Sequence, residues 1–194
     1  LLLLLVLGFA LASYHPTDPS MNTDAAGPTR NLLGAPGAWT ADAMLTLFGP
    51  PAALLLPLLL IFGLRLWRGA PAGRWKRALA LSVSSIMLVG TALTLLRGGS
   101  VGGLPAGWGG GFGLAFASLV QMALAPIGNP AWQTIARIAA MALIGAGGLG
   151  LWAWGLGLDG DERNWLMRRN RVRMPAPAVQ RAPAAPRPPR PVAT

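Results

Sequence analysis

Long apolar stretches decide what this chain can become. Residues 39–66, 78–96 and 132–156 carry only Asp42, Arg65 and Arg137 as charges. A helix needs about 20 apolar residues to cross a bilayer core. Inside lipid every backbone N–H and C=O must find a partner within the protein, which leaves helices as the natural solution for such runs. A fourth run, 1–13, reads as the end of a span whose start precedes the chain. Charged residues make up 11% of the sequence, against about 25% in an ordinary soluble domain. Mean hydropathy is +0.50. Together these features predict an all-α membrane protein, with residues 1–158 forming a domain of four transmembrane helices, the first truncated.

Within the second span lie Pro50, Pro51 and Pro57. Interior prolines remove hydrogen bonds and kink helices, so a bend near Pro50 is expected within one continuous helix. The third span offers Ser82, Ser84, Ser85, Thr91 and Thr94 for bonds along or between helices. Residues 111–125 are apolar but short, between a glycine-rich stretch and Pro126, Gly128, Asn129 and Pro130. That length suits an interfacial or re-entrant helix.

Charge orients the bundle. Arg65, Arg68, Arg74, Lys76 and Arg77 crowd the loop between the second and third spans, with no acid among them. The connector 13–42 has only Arg30, and the stretch 97–131 only Arg97. The positive-inside rule then puts the 65–77 loop and the tail in the cytoplasm, so both termini lie inside after four crossings. Trp39 and Trp67 bracket the second span, and Trp132, Trp152 and Trp154 the fourth, as interfacial aromatics do.

The connector after the first span carries Ser13-Tyr14-His15-Pro16-Thr17-Asp18-Pro19-Ser20. Asn31, Gly34, Gly37, Ala38, Trp39 and Asp42 follow in the pattern N-x-x-G-x-x-G-A-W-x-A-D, then Phe48-Gly49. This succession resembles the N-terminal membrane domain of FtsK/SpoIIIE-type DNA translocases. The resemblance implies a bacterial inner-membrane anchor, enriched at the division septum, that takes part in divisome assembly and chromosome segregation. It also implies a long linker leading to a hexameric ATPase motor that pumps DNA. ATP, magnesium and DNA would be bound by that motor, outside this chain. The implied partners of the membrane domain are the lipid bilayer, division-septum proteins and further copies of itself.

From the residues themselves no catalytic, cofactor or metal site is expected. Cysteine is absent and His15 is the sole histidine, which removes disulfides, thiolate chemistry and cysteine zinc sites. A P-loop needs G-x-x-x-x-G-K-[ST], whereas the only lysine, Lys76, sits between Trp75 and Arg77. Asp18, Asp24 and His15 are read as turn chemistry in preference to a metal or acid–base group. Gly34, Gly37 and Ala38 should let the chain enter the second span in close packing. Asp42 and Arg137 either pair across the second and fourth spans or reach the interface separately. Ala142, Ala146 and Gly150 form a small-residue stripe, expected as an intramolecular seam, with a subunit contact as the alternative.

Beyond residue 158 the chain should form a juxtamembrane basic helix over 159–173, acids first and arginines last. Residues 174–194, rich in Pro, Ala and Arg, should be a disordered linker. Two rival readings remain from the sequence: a small multipass transporter or membrane enzyme, which needs ionisable groups at mid-bilayer, and a scaffold without a motor.

Overall fold

The computed structural model describes residues 1–24, 27–70, 73–98 and 102–157. Both tail segments, 159–173 and 174–194, lie outside the described residues. The regular elements are helical: α1 (Leu2–Ala12), α2 (Gly34–Phe48), a 3-10 turn (Pro50–Leu54), α3 (Leu55–Trp67), α4 (Trp75–Arg97), α5 (Gly110–Leu124) and α6 (Pro130–Gly155). Three stretches are long and apolar enough to cross a membrane, namely Pro50–Trp67, α4 and α6. α1 is a shorter apolar helix, and it packs beside the first of them.

Glycine contacts give the directions of the helices. A methyl built on Gly63 of α3 would meet the Leu1 side chain at 2.9 Å, and one on Gly8 of α1 would meet Leu56 at 3.9 Å, so these two helices run antiparallel. On α6, the same construction places Gly145 against Ala92, Gly148 against Leu88 and Val89, and Gly155 against Leu81. α6 therefore runs antiparallel to α4. The 3-10 turn shares a groove with Leu93, Leu96 and Arg97 at the far end of α4. Leu1, Trp67, Trp75 and Gly157 thus gather at one end of the bundle, and Ser13, Gly49 and Arg97 at the other. From Arg77 to Arg97 the twenty residue steps of α4 cover about 30 Å, the thickness of a bilayer core.

The second span differs from the expected bent helix. α2 ends at Phe48, Gly49 takes φ 67°, and the chain restarts as a 3-10 turn. Pro50 and Pro51 lack the N–H groups that would bond the Thr46 and Leu47 carbonyls, and their rings clash with the preceding turn. Two adjacent prolines after a glycine with positive φ break the helix. The crossing is Pro50–Trp67, with residues 39–48 assigned to the separate helix α2. At the junction the Trp152 indole donates to the Leu54 carbonyl at 2.9 Å.

α5 is anchored by glycines. A methyl on Gly90 would lie 2.8 Å from the Gly109 carbonyl oxygen, and one on Gly113 at 2.8 Å from the Gly90 carbonyl. On Gly49 it would meet the Trp108 carbonyl and the Gly110 nitrogen, each at 2.7 Å. Gly109 presses on Thr94 Oγ1 and the Gly90 carbonyl, and Gly110 on the Gly49 nitrogen. Only Cα–H groups fit there, and backbones this close favour Cα–H···O contacts. Phe48 and Phe112 stack beside the knot, with ring centroids 5.5 Å apart. Since Gly90 lies seven residues below the end of α4, the first turn of α5 dips into the bundle.

The α4–α6 seam is also built on glycine, but on a different face from the one expected. Ala142, Ala146 and Gly150 are exposed in the single chain, and a methyl on Gly150 would meet nothing within 4 Å. The packed face carries Gly145, Gly148 and Gly155 instead, and the buried Ser85 hydroxyl donates to the Gly148 carbonyl at 2.7 Å. Gly148 lies flush with α4 and leaves its carbonyl within reach of that hydroxyl, which fixes the rotation of α6.

Gly109→Ala should therefore lower stability by about 1–3 kcal/mol, the usual range for overpacking. Gly150→Ala, exposed within a helix, should be neutral or stabilise by up to about 1 kcal/mol, since alanine loses less entropy there. Thermal melts of both variants in detergent, followed by circular dichroism, check the contrast.

Candidate functional site

The connector between α1 and α2 is held by side chains standing in for backbone partners. Asn31 is 4% exposed. Its Nδ2 donates to the Ala10 carbonyl at 2.9 Å and the Ser13 carbonyl at 3.2 Å, and its Oδ1 accepts from the Leu33 N–H at 3.1 Å. The Ala10 carbonyl is one of the last-turn acceptors of α1, which have no helical partner of their own. Ser13 Oγ donates to the Phe9 carbonyl at 2.6 Å and accepts from the Leu32 N–H at 3.1 Å. One asparagine and one serine thus close α1 and hold the entry to α2.

Asp18 backs this clamp. Its Oδ1 accepts from the Arg30 N–H and its Oδ2 from the Asn31 N–H, each at 2.9 Å. The expected local turn exists, with the Asp18 N–H on the His15 carbonyl at 3.1 Å. The carboxylate itself, however, reaches across the loop. Gly34 adopts φ 65°, where glycine is favoured. A side chain on Gly37 would overlap the Asn31 amide and would meet Leu33 Cβ at 2.6 Å. Ala38 is buried behind it. Pro16 lends its carbonyl to Thr23 Oγ1 at 3.3 Å, and the Ser20 N–H donates to the Thr23 carbonyl at 3.0 Å. Pro19 is half-buried.

Asp42 is the second buried carboxylate, 1% exposed. Its Oδ2 accepts from the Asn22 N–H at 3.1 Å and from Asn22 Nδ2 at 2.9 Å, and Asn22 Nδ2 also bonds Thr46 Oγ1 at 2.6 Å. Asp42 is thus tied to the connector and forms no ion pair with Arg137, which is exposed on α6. Asn22 had no spacing signal to mark it. Nor did the pairing of His15 Nε2 with Arg30 Nη1 at 3.1 Å, while His15 Nδ1 meets Thr17 Oγ1 at 2.8 Å. Since a guanidinium only donates, Nε2 is the acceptor and Nδ1 carries the proton.

Between these carboxylates sits Tyr14. Burial raises its pKa above the ordinary value of 10.0, and the nearby Asp42 and Asp18 charges raise it further. Chemically the connector is saturated: its buried acids accept backbone and amide N–H groups. Among the described residues, no group of three His, Cys, Asp or Glu side chains is placed to hold a metal. The arrangement suits a rigid cap over one end of the bundle.

Comparison with known proteins identifies the family. Residues 1–154 match the family described as the 4TM region of DNA translocase FtsK/SpoIIIE. The chain belongs to this family. It is 32% identical over 158 residues to the DNA translocase FtsK of Azospirillum brasilense, covering 79% of the chain and 25% of that relative. The chain therefore spans about a quarter of the length of this relative. No solved structure matches it. The motif residues Ser13, Asp18, Asn31, Gly34, Gly37 and Asp42 all have a place in the cap just described, while Phe48 and Gly49 join it to α5.

Two outcomes test the cap. Asp42→Ala should destabilise the domain by about 1–3 kcal/mol, the range for unpaired buried donors, and Asp42→Asn by less, because an acceptor oxygen remains. Tyr14 is the sole tyrosine, so its ionisation can be followed by ultraviolet absorbance. It should titrate above the ordinary value, and Asp42→Asn should bring it part of the way down, leaving the burial and Asp18 contributions. With a raised folded pKa, the stabilisation is present below the unfolded value near 10 and is lost as pH rises further.

Proposed function

We propose that this domain anchors a DNA-translocating motor to the inner membrane at the division septum, with both ends of the domain facing the cytoplasm. The observation that carries this reading is the shared end of the bundle. Arg65 donates to the Gly157 carbonyl at 2.8 Å, beside the basic loop, while Leu1 lies against Gly63. With α1 read as the end of a first pass, the Pro50–Trp67 crossing, α4 and α6 complete four, so the chain returns to the side from which it entered. Arg77 stacks on Trp154 at 4.5 Å at that same end. The arginine-rich face is the cytoplasmic one by the positive-inside rule, and Gly157, the last described residue, lies on it.

The family supports the rest of the reading. A motor on a linker is confined near the membrane and works at an effective concentration set by linker length. ATP, magnesium and DNA belong to that motor, and six copies assemble through it. The cap around Asn31, Asp18 and Asp42 faces the periplasm, where its fixed shape suits contact with septal proteins. The buried acids of the described residues, Asp18 and Asp42, both sit in this cap.

The absence of native cysteine makes the topology directly testable. A cysteine at Thr17 should react with an impermeant maleimide in intact cells, and one at Gly69 only after the membrane is opened. Deleting residues 1–157 from the full-length translocase should delocalise it from the septum and leave the ATPase rate of the purified motor within about twofold. Septal localisation without the domain would overturn the anchoring role.

A further inference from the structure

A groove of about 340 Å³ opens on the side of the bundle between the 3-10 turn, α4 and α6. Its walls are Pro51, Leu54, Val89, Leu93 and Leu149, and its mouth carries Arg97 with Trp108. The Pro50–Leu54 wall of the groove is wound as a 3-10 turn, narrower than an α-helix. Down α4, the eight residue steps from Arg97 to Val89 measure about 12 Å. The Leu54 carbonyl in the wall is already bonded to the Trp152 indole at 2.9 Å, so that acceptor is not left for a ligand.

The mouth has a different character. The Arg97 guanidinium lies 4.5 Å from the centre of the Trp108 ring, and no ion pair to it is seen among the described residues. It ends α4 about one bilayer-core thickness from Arg77, the level at which lipid phosphates and interfacial tryptophans sit. An apolar slot about 12 Å deep under one cation at phosphate depth matches one chemical class. A peptide segment would bring backbone N–H and C=O groups with nothing to bond them, and an α-helix about 10 Å across is too wide for this volume. A hydrocarbon chain has no polar atoms to satisfy.

We propose that this groove binds one acyl chain of an anionic phospholipid from the leaflet on the connector side, with its phosphate paired to Arg97. The guanidinium fork supplies two N–H donors to phosphate oxygens, and Trp108 holds it at the mouth. This site depends on the domain lying in a bilayer, and it holds whichever way round the domain is inserted.

Native mass spectrometry of the 194-residue chain in detergent, titrated with dioleoyl phosphatidylglycerol, tests the assignment. Wild type should bind one lipid saturably and more tightly than dioleoyl phosphatidylcholine. Arg97→Ala should weaken phosphatidylglycerol about tenfold and abolish the preference, one lost charge-assisted contact being of that order. Leu149→Phe, at a position 52% exposed and so tolerant of bulk, should reduce binding of both lipids. Circular dichroism establishes that each variant is folded. Glycerol phosphate, a headgroup without chains, should not bind. The proposal falls if both variants retain the wild-type lipid count, which describes ordinary boundary lipid. It falls equally if glycerol phosphate binds as tightly as the lipid, which describes a free phosphate site.

Discussion

The architecture turns on the close approach of backbone to backbone where Gly49, Gly90, Gly109 and Gly110 meet. Membrane helices gain little from hiding apolar side chains from lipid, so packing depends on how near their backbones can come. Here the approach leaves no room for a Cβ at any of the four positions. It places the start of α5 beside the break between α2 and α3, and beside α4 well below its end. Removing the side chain is costly in a helix interior, where glycine loses more entropy than alanine. In return the glycines lock three elements that are otherwise short: α2 and α5 have 15 residues each, and the 3-10 turn has five.

Polar groups are spent in the same way, on closing backbone gaps. The Ala10 carbonyl that a longer α1 would have bonded is taken by Asn31, and the N–H groups entering α2 by Asp18, Ser13 and Asn31. An ionised carboxylate is costly to bury unless its oxygens accept several donors. Each buried acid here accepts two, and the asparagines beside them supply amides that carry no charge. Two buried hydroxyls, Ser82 and Thr94, have no hydrogen-bond partner among the described residues. Thr94 faces the Cα groups of Gly109 and Gly113, so it forgoes a strong bond where the glycine knot needs a small, flat neighbour.

Two of the long apolar helices were legible because hydropathy is additive along the chain. The stretches 78–96 and 132–156 fall within a few residues of α4 and α6. Their phase was not legible. Ala142, Ala146 and Gly150 make as regular a stripe as Gly145 and Gly148, and spacing alone gives no preference between two small-residue faces separated by a fraction of a turn. The Ser85 bond to Gly148 settles it, and that bond joins residues 63 positions apart. The helix break at Gly49 was partly legible in its prolines. A bend and a break begin with the same missing N–H groups, and what separates them is the positive φ of Gly49, a conformation open to glycine and adopted where Gly49 faces Trp108 and Gly110.

The connector shows the same division between local and distant causes. Asp18-Pro19-Ser20 announces a turn, yet its carboxylate serves residues 12 and 13 positions away. Asp42 is marked by its place in the family-like pattern, whereas its partner Asn22 carries no mark. α2 holds Asp42 and Thr46 against Asn22 and ends in Phe48, stacked on Phe112 of α5. The helix is therefore fixed at its start by Asn31, along its length by Asn22, and at its end by the glycine knot. A shift of the connector cannot be absorbed within α2, because three separate contacts would have to give way together. A cap so constrained moves as one unit with α2 and the start of α5.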